Sequence, residues 1–201
     1  MRSIIIITIL ITSCLTRSNK KIKSNDTANK NIKSDSSAMM LYSFPKQGKG
    51  KWRVQDDVVM GGQSDSQLKM TENNYAHFSG RVSLENNGGF CSIHQIVSTN
   101  PYKIPNKTEA FSLLLKGDGK DYNFRVRTPN GRHSYGFSFP TKGNGKWETI
   151  SIPFDEMKAK YHGEPINVPN YAGENVVEMQ LLIGNNKKEA FEILIESIKV
   201  I

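Results

Sequence analysis

The chain from Met39 to Ile201 is predicted to be all-β, an antiparallel β-sandwich or jelly roll, and three observations carry that prediction. Several runs alternate apolar and polar residues with a period of two, the pattern of a strand with one buried face. Clusters of Gly, Asn and Pro such as "NNGG", "KGDGK", "TPNGR" and "TKGNGK" separate these runs and supply turns. No long amphipathic helix interrupts them. With 201 residues, 37% of them hydrophobic, the chain can bury one sizeable core but is cramped for two domains.

In chain order, residues 1–13 read as an export signal: one positive charge at Arg2, an apolar run from Ile4 to Ile11, then small residues up to Cys14. That run is far short of the ~20 apolar residues of a membrane-spanning helix. Ile11 sits badly for cleavage by ordinary signal peptidase after Ser13. "ITSC" instead resembles a bacterial lipobox, an aliphatic and two small residues before a cysteine that is acylated and becomes the new N-terminus. Residues 14–38, which begin with the lipidated Cys14, are rich in Ser, Asn and Lys with almost no apolar periodicity, and read as a flexible tether. The folded unit is then 39–201, held by Cys14 to a membrane of the bacterial cell envelope and facing the periplasm or the exterior.

The strands follow. Ala76, Phe78, Gly80, Val82 and Leu84 alternate with His77, Ser79, Arg81 and Ser83. Cys91 lies in "GGFCSIHQI"; with Cys14 acylated it has no disulfide partner, and it reads as a small buried strand residue rather than a nucleophile. Tyr122, Phe124 and Val126 form one face of a strand and Asn123, Arg125 and Arg127 the other, and Tyr135, Phe137 and Phe139 repeat the pattern. Ala110–Leu115, Trp147–Ile152, Val177–Ile183 and Phe191–Ile201 are further apolar strands. Phe154 to Lys160, after Pro153, is expected to make a turn or two of helix.

Charge narrows the partners. Of the formal net charge of +8, residues 15–38 contribute +4, from six basic against two acidic residues, and Arg2 contributes +1, leaving +3 for residues 39–201. A near-balanced domain without a long basic run does not suit nucleic acid, whose binding depends on neutralising many phosphates. The histidines, His77, His94, His133 and His162, are scattered without metal-ligand spacing. "GDGKD" lacks the spacing and the following helix of a phosphate loop and reads as a hairpin turn.

"DDVVMGGQSDS" is the unusual stretch. Gly61 and Gly62 can take positive φ, and Asp56, Asp57 and Ser64 can satisfy backbone groups that a tight turn leaves unpaired. The alternative is a structural calcium site in which Asp118 and Asp121 complete the six to eight oxygens calcium takes. The turn is the favoured reading, and no cofactor is otherwise expected.

Five stretches, "WRVQDDVVMGGQSDS", "HFSGRVSLENNGGFCSI", "LLLKGDGKDYNFRVR", "WETISIPFDEM" and "FEILIESIKVI", in this order from about Phe44 to Ile201, resemble the complex I intermediate-associated protein 30 family. The resemblance implies a galactose-binding-like jelly roll without a known catalytic centre. Its mitochondrial members help to assemble NADH:ubiquinone oxidoreductase; an exported lipoprotein would instead take an envelope component as its protein partner. A carbohydrate-binding module is the second expectation, with Tyr102, Tyr161 and Tyr171 as exposed platforms. A hydrolase using Asp56, Asp57 or Glu164 has no supporting pattern. The candidate binding surface for a protein partner or glycan is Asn123, Arg125 and Arg127, joined by His94, where two arginines beside amides can clamp carboxylates or hydroxyls. Removing both arginines is expected to abolish binding and leave the melting temperature nearly unchanged.

Overall fold

The computed structural model describes residues 38–47 and 50–201. The export signal, Cys14 and the tether through residue 37 lie outside the described residues.

Alternation builds two antiparallel sheets that share one core. The first has six strands. β3 (Asp65–Met70), β4 (Ala76–Val82), β13 (Glu189–Val200), β6 (Ala110–Lys116) and β9 (Glu148–Pro153) lie side by side in that order, and β1 (Met39–Ser43) also pairs with β13. The second has seven: β11 (Glu164–Pro165), β10 (Lys158–Tyr161), β8 (Ser134–Pro140), β7 (Asp121–Arg127), β12 (Glu178–Ile183), β5 (Cys91–Ile96) and β2 (Trp52–Val54). This is the all-β, jelly-roll class expected.

β13 pairs with β4 through Glu189–Ile195 and with β1 through Ser197–Val200, and its inward phase changes between the two. Phe191, Ile193 and Ile195 are buried at one parity, then Ile198 and Val200 at the other. The register with β6 shifts between Ile195 and Ser197, so a bulge at Glu196 resets the inward face. The Glu196 carbonyl accepts from the Phe44 N–H at 2.9 Å.

The core is aromatic where the sheets meet. Phe111 of β6 lies 5.3 Å, centroid to centroid, from Phe124 of β7, and Phe78 lies 4.8 Å from Phe191 within the first sheet. Phe111 is wholly buried, and a large-to-small change there costs about 3–5 kcal/mol.

Of the turn or two of helix expected over Phe154–Lys160, a single 3₁₀ turn forms at Phe154–Glu156, and the chain then enters β10. Met157 and Ala159 are both buried, two residues apart, and Ala159 pairs with Tyr135, so the period-two burial and an open sheet edge prevail over a short helix.

Candidate functional site

The outward face of the seven-stranded sheet is a polar grid whose rows follow from the strand register. One row runs Arg53, His94, Gln180, Arg125, Gly136 and Lys158 across β2, β5, β12, β7, β8 and β10. The next places Glu178 opposite Arg127. The structure thus brings Asn123, Arg125, Arg127 and His94 together on one face, and it adds two residues the sequence reading passed over, Glu178 and Gln180. Both belong to the polar phase of an apolar strand, and only the register shows what they meet.

Glu178 is clamped from two sides. Its Oε2 accepts from Arg127 Nε and Nη2, each at 2.8 Å, and its Oε1 lies 3.2 Å from His94 Nδ1. Burial alone would raise this carboxyl, but the His94 and Arg127 hydrogen bonds outweigh it and hold the group below the usual carboxylate range.

Arg125 is placed differently. Its Nε donates to Asn123 Oδ1 at 2.6 Å, and Asn123 Nδ2 donates to Ser138 Oγ at 2.8 Å, so a short chain of side chains sets the plane of the guanidinium. Among the described residues no carboxylate pairs with it. Burial lowers its pKa, as desolvation must for a cation. Gly136, directly opposite, leaves room for this arrangement: a Cβ there would stand 3.0 Å from Asn123 Oδ1 and 3.2 Å from Arg125 Cγ.

Above this floor lies a groove of about 620 Å³. Arg125, Arg127, Glu178 and Gln180 form its base, Arg132 stands on the β7–β8 turn, and Lys160, Tyr161 and His162 close the far side. Gln55 reaches in from the other end, and its carbonyl accepts from Ser92 Oγ at 2.5 Å. Tyr161 is 41% exposed at the rim.

The "DDVVMGGQSDS" loop is a separate, closed device. Asp57 is fully buried and accepts four hydrogen bonds: Ser64 N at 2.9 Å, Ser64 Oγ at 2.5 Å, Gly89 N at 2.6 Å and Phe90 N at 3.2 Å. Burial opposes ionisation, but these donors together hold its carboxyl below the ordinary value. Asp56 accepts from Ser66 Oγ and Ser92 N, and there burial wins and its carboxyl is raised. Gly61 takes the positive φ expected, 91°. Gly62 does not; it is needed because a Cβ would come within 2.2 Å of Asp57 Oδ1.

Asp118 lies in another cluster, accepting from Tyr122 Oη, Lys120 Nζ and the Glu192 N–H. Among the described residues no three His, Cys, Asp or Glu side chains are gathered as metal ligands. With the oxygens of Asp57 and Asp118 spent on N–H and O–H donors, this set does not fit the oxygen cage that calcium requires.

Two of the three tyrosines expected to be exposed are core residues. Tyr102 is 4% exposed and donates to Gln95 Oε1 at 2.8 Å. Tyr171 is 1% exposed, packed against Phe111, Tyr135 and Phe154. Cys91 is fully buried, and burial, with the Asp56 charge adding to it, pushes its thiol up to about 12.

Comparison with known proteins follows the same outline. The sequence model of the complex I intermediate-associated protein 30 family matches residues 42–195. The mitochondrial complex I intermediate-associated protein 30 of Mus musculus is 28% identical over 141 residues, 60% of this chain and 42% of the mouse protein. An uncharacterised protein of Schizosaccharomyces pombe (strain 972) is 24% identical over 169 residues, 75% of this chain and 77% of the yeast one. The match thus spans less than half the length of the mouse protein. Among solved structures, the family 11 carbohydrate-binding module of a cellulosomal cellulase of Clostridium thermocellum has a TM-score of 0.62 at 18% identity, covering 82% of this chain and 94% of that one. The family 11 module in complex with a β-1,3-1,4-mixed-linked tetrasaccharide scores 0.60, also at 18% identity, covering 82% and 95%. At such identities the likeness is one of fold, whereas the sequence match extends over nearly all of the sandwich. The chain belongs to the complex I intermediate-associated protein 30 family.

Proposed function

We propose that this protein is a non-enzymatic binding module and that the groove on its seven-stranded sheet takes a glycan chain. One observation carries the reading: a groove of about 620 Å³ floored by the fixed hydrogen-bonding groups of Arg125, Gln180, Arg127 and Glu178, with the Tyr161 ring at its rim. Sugar hydroxyls need such directed donors and acceptors, and an aromatic ring offers a sugar an apolar face. The saccharide complex of a module with the same fold supports the class of ligand. Among the described residues Glu178 is the one carboxylate lining this groove, and it is engaged by Arg127 and His94, whereas glycoside hydrolysis by acid and base requires a pair. The test is a glycan array probed with the full chain, with Tyr161→Ala beside it. Binding of a defined saccharide that weakens by about 0.5–1.5 kcal/mol in the variant supports the reading. An array with no saccharide retained overturns it.

A second reading, an assembly role with a protein partner of the cell envelope, is favoured by a different observation. Val58, Val59 and Met60 are 59%, 68% and 66% exposed, consecutive on the 3₁₀ turn that Asp57 anchors. Adjacent exposed apolar side chains on a fixed turn suit a protein interface. Crosslinking in intact cells should capture a reproducible partner that Val59→Asp loses while saccharide binding stays. We further infer that Cys14 carries the lipid that holds the protein to its membrane. Cys14→Ser is then expected to move it to the soluble fraction, and a variant that stays with the membrane overturns the anchor.

A further inference from the structure

Within the glycan reading just given, we propose that the groove selects an acidic glycan, one bearing a carboxylate or sulfate that docks on Arg125. Among the described residues the groove carries four basic side chains, Arg125, Arg127, Arg132 and Lys160, against the single acid Glu178. That surplus of three equals the whole net charge of residues 39–201, so the excess of the domain is gathered at one place. Within the groove the charges are not equivalent. Arg127 is neutralised by Glu178, whose other oxygen faces His94. Among the described residues Arg125 has the Asn123 amide as its side-chain partner and no carboxylate.

A half-buried cation without a counter-ion is an unfavourable arrangement in a folded protein, because desolvation is not offset by a pair. It persists here with its plane already set by Asn123 and Ser138 and with space kept by Gly136. A planar guanidinium so held matches the two oxygens of a carboxylate, or two of a sulfate, in a forked hydrogen bond. Neutral hydroxyls alone would leave the charge uncompensated.

Titration calorimetry of the full chain tests this with four short ligands: trigalacturonate, its methyl ester, a sulfated galactan trisaccharide and a neutral β-1,3-1,4-linked tetrasaccharide. The ester removes the charge and keeps the sugar. The inference expects trigalacturonate or the sulfated trisaccharide to bind roughly 10- to 100-fold more tightly than either neutral ligand, the better of the two naming the acid group. Arg125→Ala should abolish that preference, and Arg125→Lys should restore part of it, since the charge returns without the fork. Trigalacturonate and the sulfated trisaccharide both bound no more tightly than the neutral ligands would overturn the inference and leave the glycan reading standing. A preference for the acid that survives Arg125→Ala would overturn it too, assigning the attraction to the other basic side chains, those of the groove or those of residues 15–38. No binding in any arm, together with an empty array, would remove both.

Discussion

The Asp57 loop and the Arg125 groove are both built around charged side chains that burial desolvates, yet they differ in how completely the charge is answered. Asp57 has four donors on its two oxygens and no exposed surface. Arg125 has one amide and faces a groove. A charge whose hydrogen-bonding capacity is filled by its own chain stabilises the fold and has nothing left for a ligand. A charge held in position but left unpaired does little for the fold and keeps its capacity for something that binds. The satisfied valence of a group, more than its identity or its burial, separates the two roles.

The largest effect should come from breaking the closed cluster. Asp57→Ala leaves the hydroxyl and amide donors of Ser64 and the amides of Gly89 and Phe90 without this acceptor, and is expected to cost about 3–5 kcal/mol in chemical denaturation. Gly62→Ala should do similar damage from the other side by driving a methyl into the same carboxylate. A loss below about 1 kcal/mol in both would erase the distinction between the two regions.

Arg127 tests the boundary between them, because it lies in the groove but is paired. Arg127→Ala leaves the largely buried Glu178 with His94 alone, and about 1–2 kcal/mol of stability should go with it after solvent screening of a side chain that is 33% exposed. The double Arg125→Ala and Arg127→Ala change should therefore lower the melting temperature, where strand pattern alone predicts it nearly unchanged. The sequence shows two arginines on one face; it does not show that only one of them has an acid opposite.

The same divide runs through what was legible beforehand. Period-two alternation discloses β4, β7 and β8, and apolar runs between turn clusters disclose β6, β9, β12 and β13, each to within a residue or two, because a half-buried strand writes its two faces directly into the chain. It also put Asn123, Arg125 and Arg127 on one face. Glu178, Gln180 and Gln55 were missed, since their value depends on register with strands up to about 90 residues away, as in the pairing of Gln180 with His94. Tyr102 and Tyr171 misled for a related reason. Each sits in a polar, irregular stretch, but tertiary packing folds that stretch against the core, and local composition carries no record of it.

Acidity offers a further separation. The Glu178 carboxyl is lowered from its ordinary value of 4.5, so its pairing contributes stability that is fully present above that value and lost as pH falls through the lower folded one. Asp57, lowered from 3.8, acts in the same sense, whereas Asp56, raised from 3.8, acts in the opposite one. Melting temperature should therefore fall as pH drops from about 5 towards 3. Glu178→Gln should flatten that slope and leave the part due to Asp57, as followed by thermal unfolding across the same pH range. An unchanged slope would mean that the Arg127–Glu178–His94 cluster is not answered charge at all.

The smallest stability effect is expected at Arg125, and there its sign is informative. Removing an unpaired, half-buried guanidinium takes away a desolvated charge together with one hydrogen bond to Asn123, two contributions of opposite sign and similar size. Arg125→Ala should consequently change the unfolding free energy by no more than about 0.5 kcal/mol, or stabilise the fold slightly, even though the preference for an acidic ligand is lost. Stability given up for a binding group is the usual mark of a site. A loss of about 2 kcal/mol or more in calorimetric or denaturant unfolding would show that Arg125 serves the fold as fully as Asp57 does. The groove would then be another closed cluster with no charge held in reserve for a ligand.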